Sequence, residues 1–256
     1  MPRYKLTVAY DGTNFHGWQK QHPPGSEPLR TVQGVLEEAV IEAVREKVNL
    51  LGASRTDAGV HAMGQVAAFS SAVEIDPARL VEAVTSRLPA DVQVHEACLV
   101  PTAFDPIQDC LSKGYRYRLA SARRRSSTRP LFDRHYTAWS PWELDVEAMD
   151  RAAQHLVGEH DFASLTRLNH GRESTIRTIH ECTVRAEGDQ RICIDVAGNG
   201  FLYNMVRIIA GTLVEVGRGR ISDDVIPDLL ESCDRSRTGR TMPPEGLCLM
   251  WIDYGG

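Results

Sequence analysis

The chain is 256 residues long, 42% hydrophobic and 25% charged, a balance that supplies one large core or two small ones and excludes fibrous and disordered classes. No run reaches the roughly 18 apolar residues that a membrane-spanning helix requires. A net charge of −5 argues against binding nucleic acid over the whole surface, because affinity for phosphate rests on Lys and Arg, so a polyanion has to be met locally.

In chain order, residues 4–10 alternate as a strand, and Thr31 is an N-cap for an amphipathic helix over 31–46 with Val32, Val35, Leu36, Ala39, Val40 and Ala43 on one face. Strand-like stretches at 48–53 and 65–70 enclose a polar run, and a helix at 76–88 and a strand at 92–99 follow. The second half reads as a strand at 115–120, a linker with Ser126, Ser127 and Pro130, a helix at 145–157, and strands at 176–185 and 191–196. Helices at 201–216 and 223–232 and a strand at 248–254 complete it. Both halves mix strands with helices, so the expected class is α+β, in two domains over 1–106 and 107–256 with a cleft between them.

The opening Met-Pro-Arg-Tyr-Lys-Leu-Thr-Val lacks the apolar stretch of a secretory signal, which points to a cytoplasmic protein. Six cysteines occur without a C-x-x-C pair, so they are expected as reduced core thiols and not as zinc ligands or disulfides.

The polar run Ser54-Arg55-Thr56-Asp57-Ala58-Gly59-Val60-His61 gathers a carboxylate, a guanidinium, a hydroxyl and an imidazole around one glycine. It is a poor hairpin turn, because the glycine follows the aspartate by two residues. Gly59 suits a positive φ or a close backbone approach. Asp57 is a candidate nucleophile or base, and Arg55 is able to pair with it or with phosphate; the competing reading is a capped structural turn. Gln65, on the following strand, is placed to brace this loop. Residues 113–134 carry eight basic side chains, Arg123, Arg124 and Arg125 among them, against the single acid Asp133. That is either a polyanion-binding stripe or a solvated hairpin. Arg207 is the only charge between Asp195 and Glu215, so its helix should be buried nearly all round and its guanidinium should need an anionic partner, structural or functional.

Taken together, Gly52 to His61 with Gly64-Gln65-Val66, Tyr10-Asp11-Gly12 with Gly17-Trp18-Gln19, Thr31-Val32-Gln33, Tyr115-Arg116-Tyr117, Asp161-Phe162 with Ser164, and Asn204-Met205-Val206-Arg207 resemble the tRNA pseudouridine synthase A family along nearly the whole chain. The resemblance implies that family's fold, two domains with largely antiparallel sheets. It implies isomerisation of uridine to pseudouridine at positions 38, 39 and 40 of the tRNA anticodon stem-loop, without cofactor or metal, by a homodimer. It makes Asp57 the catalytic aspartate, Arg55 the residue that helps displace the base, Tyr115 the ring against uracil and a proton relay, and Arg207 the partner of the carboxylate. Two places differ: a family segment with a basic residue is here Phe104-Asp105-Pro106-Ile107-Gln108, and the residue before Tyr115 is Gly114 instead of a second basic residue. The alternatives to a synthase are an aspartate-dependent N-glycosidic hydrolase and a tRNA-binding or folding module without turnover.

Overall fold

The computed structural model describes residues 1–25, 27–122, 129–167, 174–188 and 190–255. Its strands are β1 (Arg3–Tyr10), β2 (Leu51–Gly52), β3 (His61–Ser70), β4 (Val92–Val100), β5 (Ser112–Ser121), β6 (Ala138–Ser140), β7 (Gly158–Asp161), β8 (Ile176–Ala186), β9 (Arg191–Gly198) and β10 (Leu247–Asp253). The helices are α1 (Val32–Val44), α2 (Pro77–Thr85), α3 (Val146–Gln154), α4 (Met205–Gly217) and α5 (Ile226–Ser232). The chain divides into two compact units, one of Met1–Leu111 with Cys248–Gly256 and one of Ser112–Leu247. The class is α+β with largely antiparallel pairing.

In the first unit the strands run in the order β4-β1-β3-β10, with β2 beside β3. Every second residue of β1 is buried, namely Tyr4, Leu6, Val8 and Tyr10, as a strand with one face on a core requires. Tyr4 lies opposite Phe69 of β3, their rings stacked at 5.4 Å. Between Val8 and Tyr10 the register with β3 shifts, a bulge at the place where β3 leaves the polar loop. β10 pairs parallel to β3, with Cys248 opposite His61. Thr31 caps α1, its hydroxyl accepting from Gly34 N at 3.3 Å, and Asp76 caps α2 with Pro77 in the first turn.

The strand expected at 48–53 shrinks to β2. Leu50 is held by α1 instead of by a ladder, its amide donating to Glu37 Oε2 and its carbonyl accepting from Gln33 Nε2. β3 in turn begins at His61, four residues before the expected start.

In the second unit the order is β5-β9-β8-β7, with β6 parallel to β5. Tyr117, Leu119, Ile194, Val196, Cys182 and Val184 form the buried face with α3 and α4. Strands β6 and β7 have no signature in sequence, being three and four residues long and, in β7, almost wholly polar. Helix α4 starts at Met205 and not at 201, because Asn204 takes a left-handed φ of 61°. Cys182, Cys193 and Cys248 are buried thiols, whereas Cys233 is exposed beyond α5, contrary to the core expectation.

Candidate active site

Eight residues separate β2 from β3, and Asp57 is at their middle. This loop carries no ladder of its own and is held from outside. Ala53 N donates to Val66 O at 2.9 Å. The Gln65 amide brackets Ser54, its Oε1 accepting from Ser54 N at 3.2 Å and its Nε2 donating to Ser54 O at 2.6 Å, which is the bracing expected of it. The buried Thr56 hydroxyl meets Tyr10 OH at 2.7 Å, and Thr56 O accepts from Trp18 N at 3.0 Å. A turn closes around Asp57, with Val60 N donating to Asp57 O at 3.1 Å and Gly59 at φ 78°, a conformation for which glycine is suited.

The segment after β1 forms the other wall. Gly12 N donates to His61 Nδ1 at 3.0 Å, so His61 orders the loop end. A Cβ on Gly12 would stand 2.0 Å from Val60 O, so the two backbones lie closer than any other residue there would allow. Trp18 is fully buried beneath. Asp57 itself is half-buried and Arg55 exposed. The result is a carboxylate on a hydrogen-bonded, partly open loop with a long-chained cation two residues away, a suitable arrangement for attack on an electrophilic carbon next to a phosphate-bearing ligand.

The second unit carries the other two expected residues. Tyr115, on β5 opposite Val196, is 7% exposed, and its ring meets Phe201 edge-on at 5.2 Å and 87°. Arg207 is the third residue of α4, half-buried and not buried as expected. Its Nε donates to Met242 O at 2.7 Å and its Nη1 to Asn204 Oδ1 at 2.8 Å, while its carbonyl accepts from Met242 N at 3.1 Å. All other residues of α4 except Glu215 are buried. The stretch 201–204 links these positions, since Phe201 touches Tyr115 and Asn204 binds Arg207.

The basic run divides. Arg123, Arg124 and Arg125 lie outside the described residues. Arg116 is taken by Asp195, with bonds of 2.7 and 3.2 Å. Asp105, in the stretch that differs from the family, accepts from Gln108 N and Ile107 N, and these amides hold its carboxyl below the usual range. Tyr10, Thr56 and Phe201 were not singled out by sequence for the roles they have here. The signal for Thr56 was its place inside the polar run; for Tyr10, its position directly before Asp11-Gly12.

A family model described as tRNA pseudouridine synthase matches residues 6–107 and 152–255. Proteins named tRNA pseudouridine synthase A are similar over the full length. The one from Pelobacter propionicus is 44% identical over 254 residues, covering 99% of this chain and 100% of its own. That from Geotalea uraniireducens is 42% identical with the same coverage, and that from Caldicellulosiruptor bescii is 39% identical over 97% of this chain and 98% of its own.

Proposed function

Because the chain belongs to the tRNA pseudouridine synthase family, we propose that it isomerises uridine to pseudouridine at positions 38, 39 and 40 of tRNA with Asp57 as nucleophile. The observation that carries this reading is the Asp57 loop. A reacting carboxylate has to be held in one orientation while staying open to its substrate, and the Tyr10, Gln65 and Gly12 contacts supply the first while half-burial supplies the second.

The reaction breaks the N1–C1′ bond and joins C5 to C1′. In the proposed course the Asp57 carboxylate adds to C1′ as uracil leaves with the bonding pair. The freed uracil turns, C5 attacks C1′ and expels the carboxylate, and the C5 proton departs while N1 gains one. No oxidant, reductant or second substrate is needed. Arg55 fills the place of the extruded base or holds its backbone, at a site where flipping costs a few kcal/mol. Tyr115 stacks on the uracil, worth about 1–3 kcal/mol, and its hydroxyl relays the C5 proton. Arg207 supplies the countercharge that favours the ionised carboxylate. Arg123, Arg124 and Arg125 contact RNA phosphates. The protein acts in the cytoplasm as a homodimer, whose two copies give an L-shaped RNA a larger footprint than a single chain does.

The test is tritium release from C5-labelled uridine in unmodified tRNA transcripts, with pseudouridine identified in the product. Wild type is expected to release tritium, and Asp57→Asn to release none while binding tRNA within severalfold. Turnover by Asp57→Asn at the wild-type rate overturns the nucleophile; no release by wild type from transcripts bearing anticodon-stem uridines overturns the reaction.

A further inference from the structure

Within the second unit, several arginines are answered by acids. Arg116 and Arg185 share Asp195, Arg151 meets Asp223 at 2.6 Å, Arg191 meets Asp133, and Arg218 meets Glu215 at 3.2 Å. Among the described residues, one group of arginines lies close together without such partners. Arg235 opens a 3₁₀ turn (Arg235–Arg237) and is half-buried. Its guanidinium is clamped by neutral acceptors alone, Thr238 Oγ1 at 2.7 Å, Gly239 O at 2.9 Å and Thr241 Oγ1 at 3.4 Å. Thr238 Oγ1 lies 3.2 Å from Ser164 O, which sets this turn against the turn Ala163–Leu165 and the exposed Arg167 just beyond it.

Arg237 and Arg240 are also exposed, and among the described residues none of these four arginines has a carboxylate within ion-pair distance. The acid beside them, Asp234, spends Oδ1 on the Ser236 hydroxyl and amide at 2.7 and 2.8 Å. Burial, and then the charge of Arg167, push the Arg235 guanidinium below its ordinary value. A desolvated cation facing a second one is unfavourable by itself and is relieved when an anion binds between them.

The cluster is tied to the Arg207 helix by one strap. From Arg235 the chain runs along α4, where Gly239 N donates to Thr212 Oγ1 at 3.0 Å and Met242 N to Arg207 O at 3.1 Å. We infer that Arg167, Arg235 and Arg237 form a phosphate-binding surface that grips the RNA backbone of the tRNA substrate. The inference rests on the tRNA reading proposed above. Guanidiniums suit this task because their forked donors match phosphate oxygens, and the Thr238–Met242 strap fixes the grip relative to Arg207.

The test compares wild type, Arg167→Gln/Arg237→Gln, Arg167→Lys/Arg237→Lys and Arg220→Gln, the last an exposed arginine beyond the other end of α4. Both mutated side chains of the cluster are exposed, so folding is retained. Affinity for an unmodified tRNA transcript is measured against salt, together with tritium release. The glutamine pair is expected to bind roughly tenfold more weakly, to lower the salt slope by about one unit for each phosphate that is no longer neutralised, and to raise KM more than it lowers kcat. The lysine pair is expected to restore the slope, and Arg220→Gln to match wild type. An unchanged affinity and slope in the glutamine pair, or an equal loss in Arg220→Gln, overturns the surface while wild-type tritium release leaves the isomerase reading intact. Weakened tRNA binding by the glutamine pair with no tritium released by wild type sinks the isomerase reading and keeps the surface.

Discussion

Around Asp57 the backbone is positioned by polar side chains reaching in from neighbouring elements, with Gln65 spanning Ser54 and Tyr10 meeting Thr56. Arg207, by contrast, projects from a helix buried on nearly every side, and a backbone strap bonds it at Met242. The first arrangement rests on a few hydrogen bonds, each worth about 1 kcal/mol net, so single side-chain changes should disturb geometry and hence turnover. The second rests on apolar burial at about 25 cal/mol per Å², so disturbing it should cost stability before it costs chemistry.

The harshest break of this contrast is Gly211→Ala, on α4 under the strap. The new Cβ would lie 1.9 Å from Arg240 O, and backbone on both sides leaves no flexible group to give way. We predict a loss of about 3 kcal/mol in urea unfolding; an unchanged midpoint would mean that the strap does not sit on α4.

Next comes Gln65→Leu. It fills the space but leaves Ser54 N and O without the bonds at 3.2 and 2.6 Å, so we predict a loss of roughly 2–3 kcal/mol and a kcat lowered at least tenfold. Single-turnover rates on tRNA measured well below the unfolding midpoint decide it. A stability loss with normal kcat would show that the loop does not depend on this brace.

Much of this was legible in the sequence because the relevant signals are local. The β1 alternation, the cap Thr31, and the all-apolar surroundings of Arg207 each follow from a short window, and each appears in the fold. The polar run with its glycine and the bracing role of Gln65 were equally readable. What escaped was non-local. Tyr10 and Thr56 are 46 residues apart, and nothing in either window indicates their hydroxyl pair. The return of β10 to β3 and the passage of the strap along α4 depend on backbone meeting backbone, which leaves no pattern in residue type beyond isolated glycines. Arg116 counts by composition among the eight basic side chains of residues 113–134, yet Asp195, 79 residues away, already answers it.

On the helix side, Thr212→Val sharpens the comparison. The hydroxyl donates to Ile208 O at 2.9 Å and accepts from Gly239 N at 3.0 Å, and valine has nearly the same shape. Leaving the buried Gly239 amide unpaired should cost about 1–2 kcal/mol with kcat unchanged. A large kcat loss here would show that chemistry is as sensitive to the strap as to the loop.

The mildest change is Tyr10→Phe. Tyr10 is 4% exposed, with its ring 6.1 Å from that of Trp18, so phenylalanine keeps the packing and removes only the hydroxyl. That hydroxyl meets Thr56 Oγ1 at 2.7 Å and Gln65 Nε2 at 3.5 Å. Of these two the shorter bond is the strong one by geometry, and we predict a stability loss of about 1 kcal/mol. Thr56 directly precedes Asp57, and a side chain freed there lets the loop turn without unfolding anything. We therefore predict a severalfold fall in kcat with KM for tRNA nearly unchanged, measured by tritium release at saturating transcript. Were KM to rise and kcat hold, Tyr10 would be acting on substrate binding, and the view of the loop as a carboxylate held by polar braces would have to be replaced by one in which those braces shape the RNA surface.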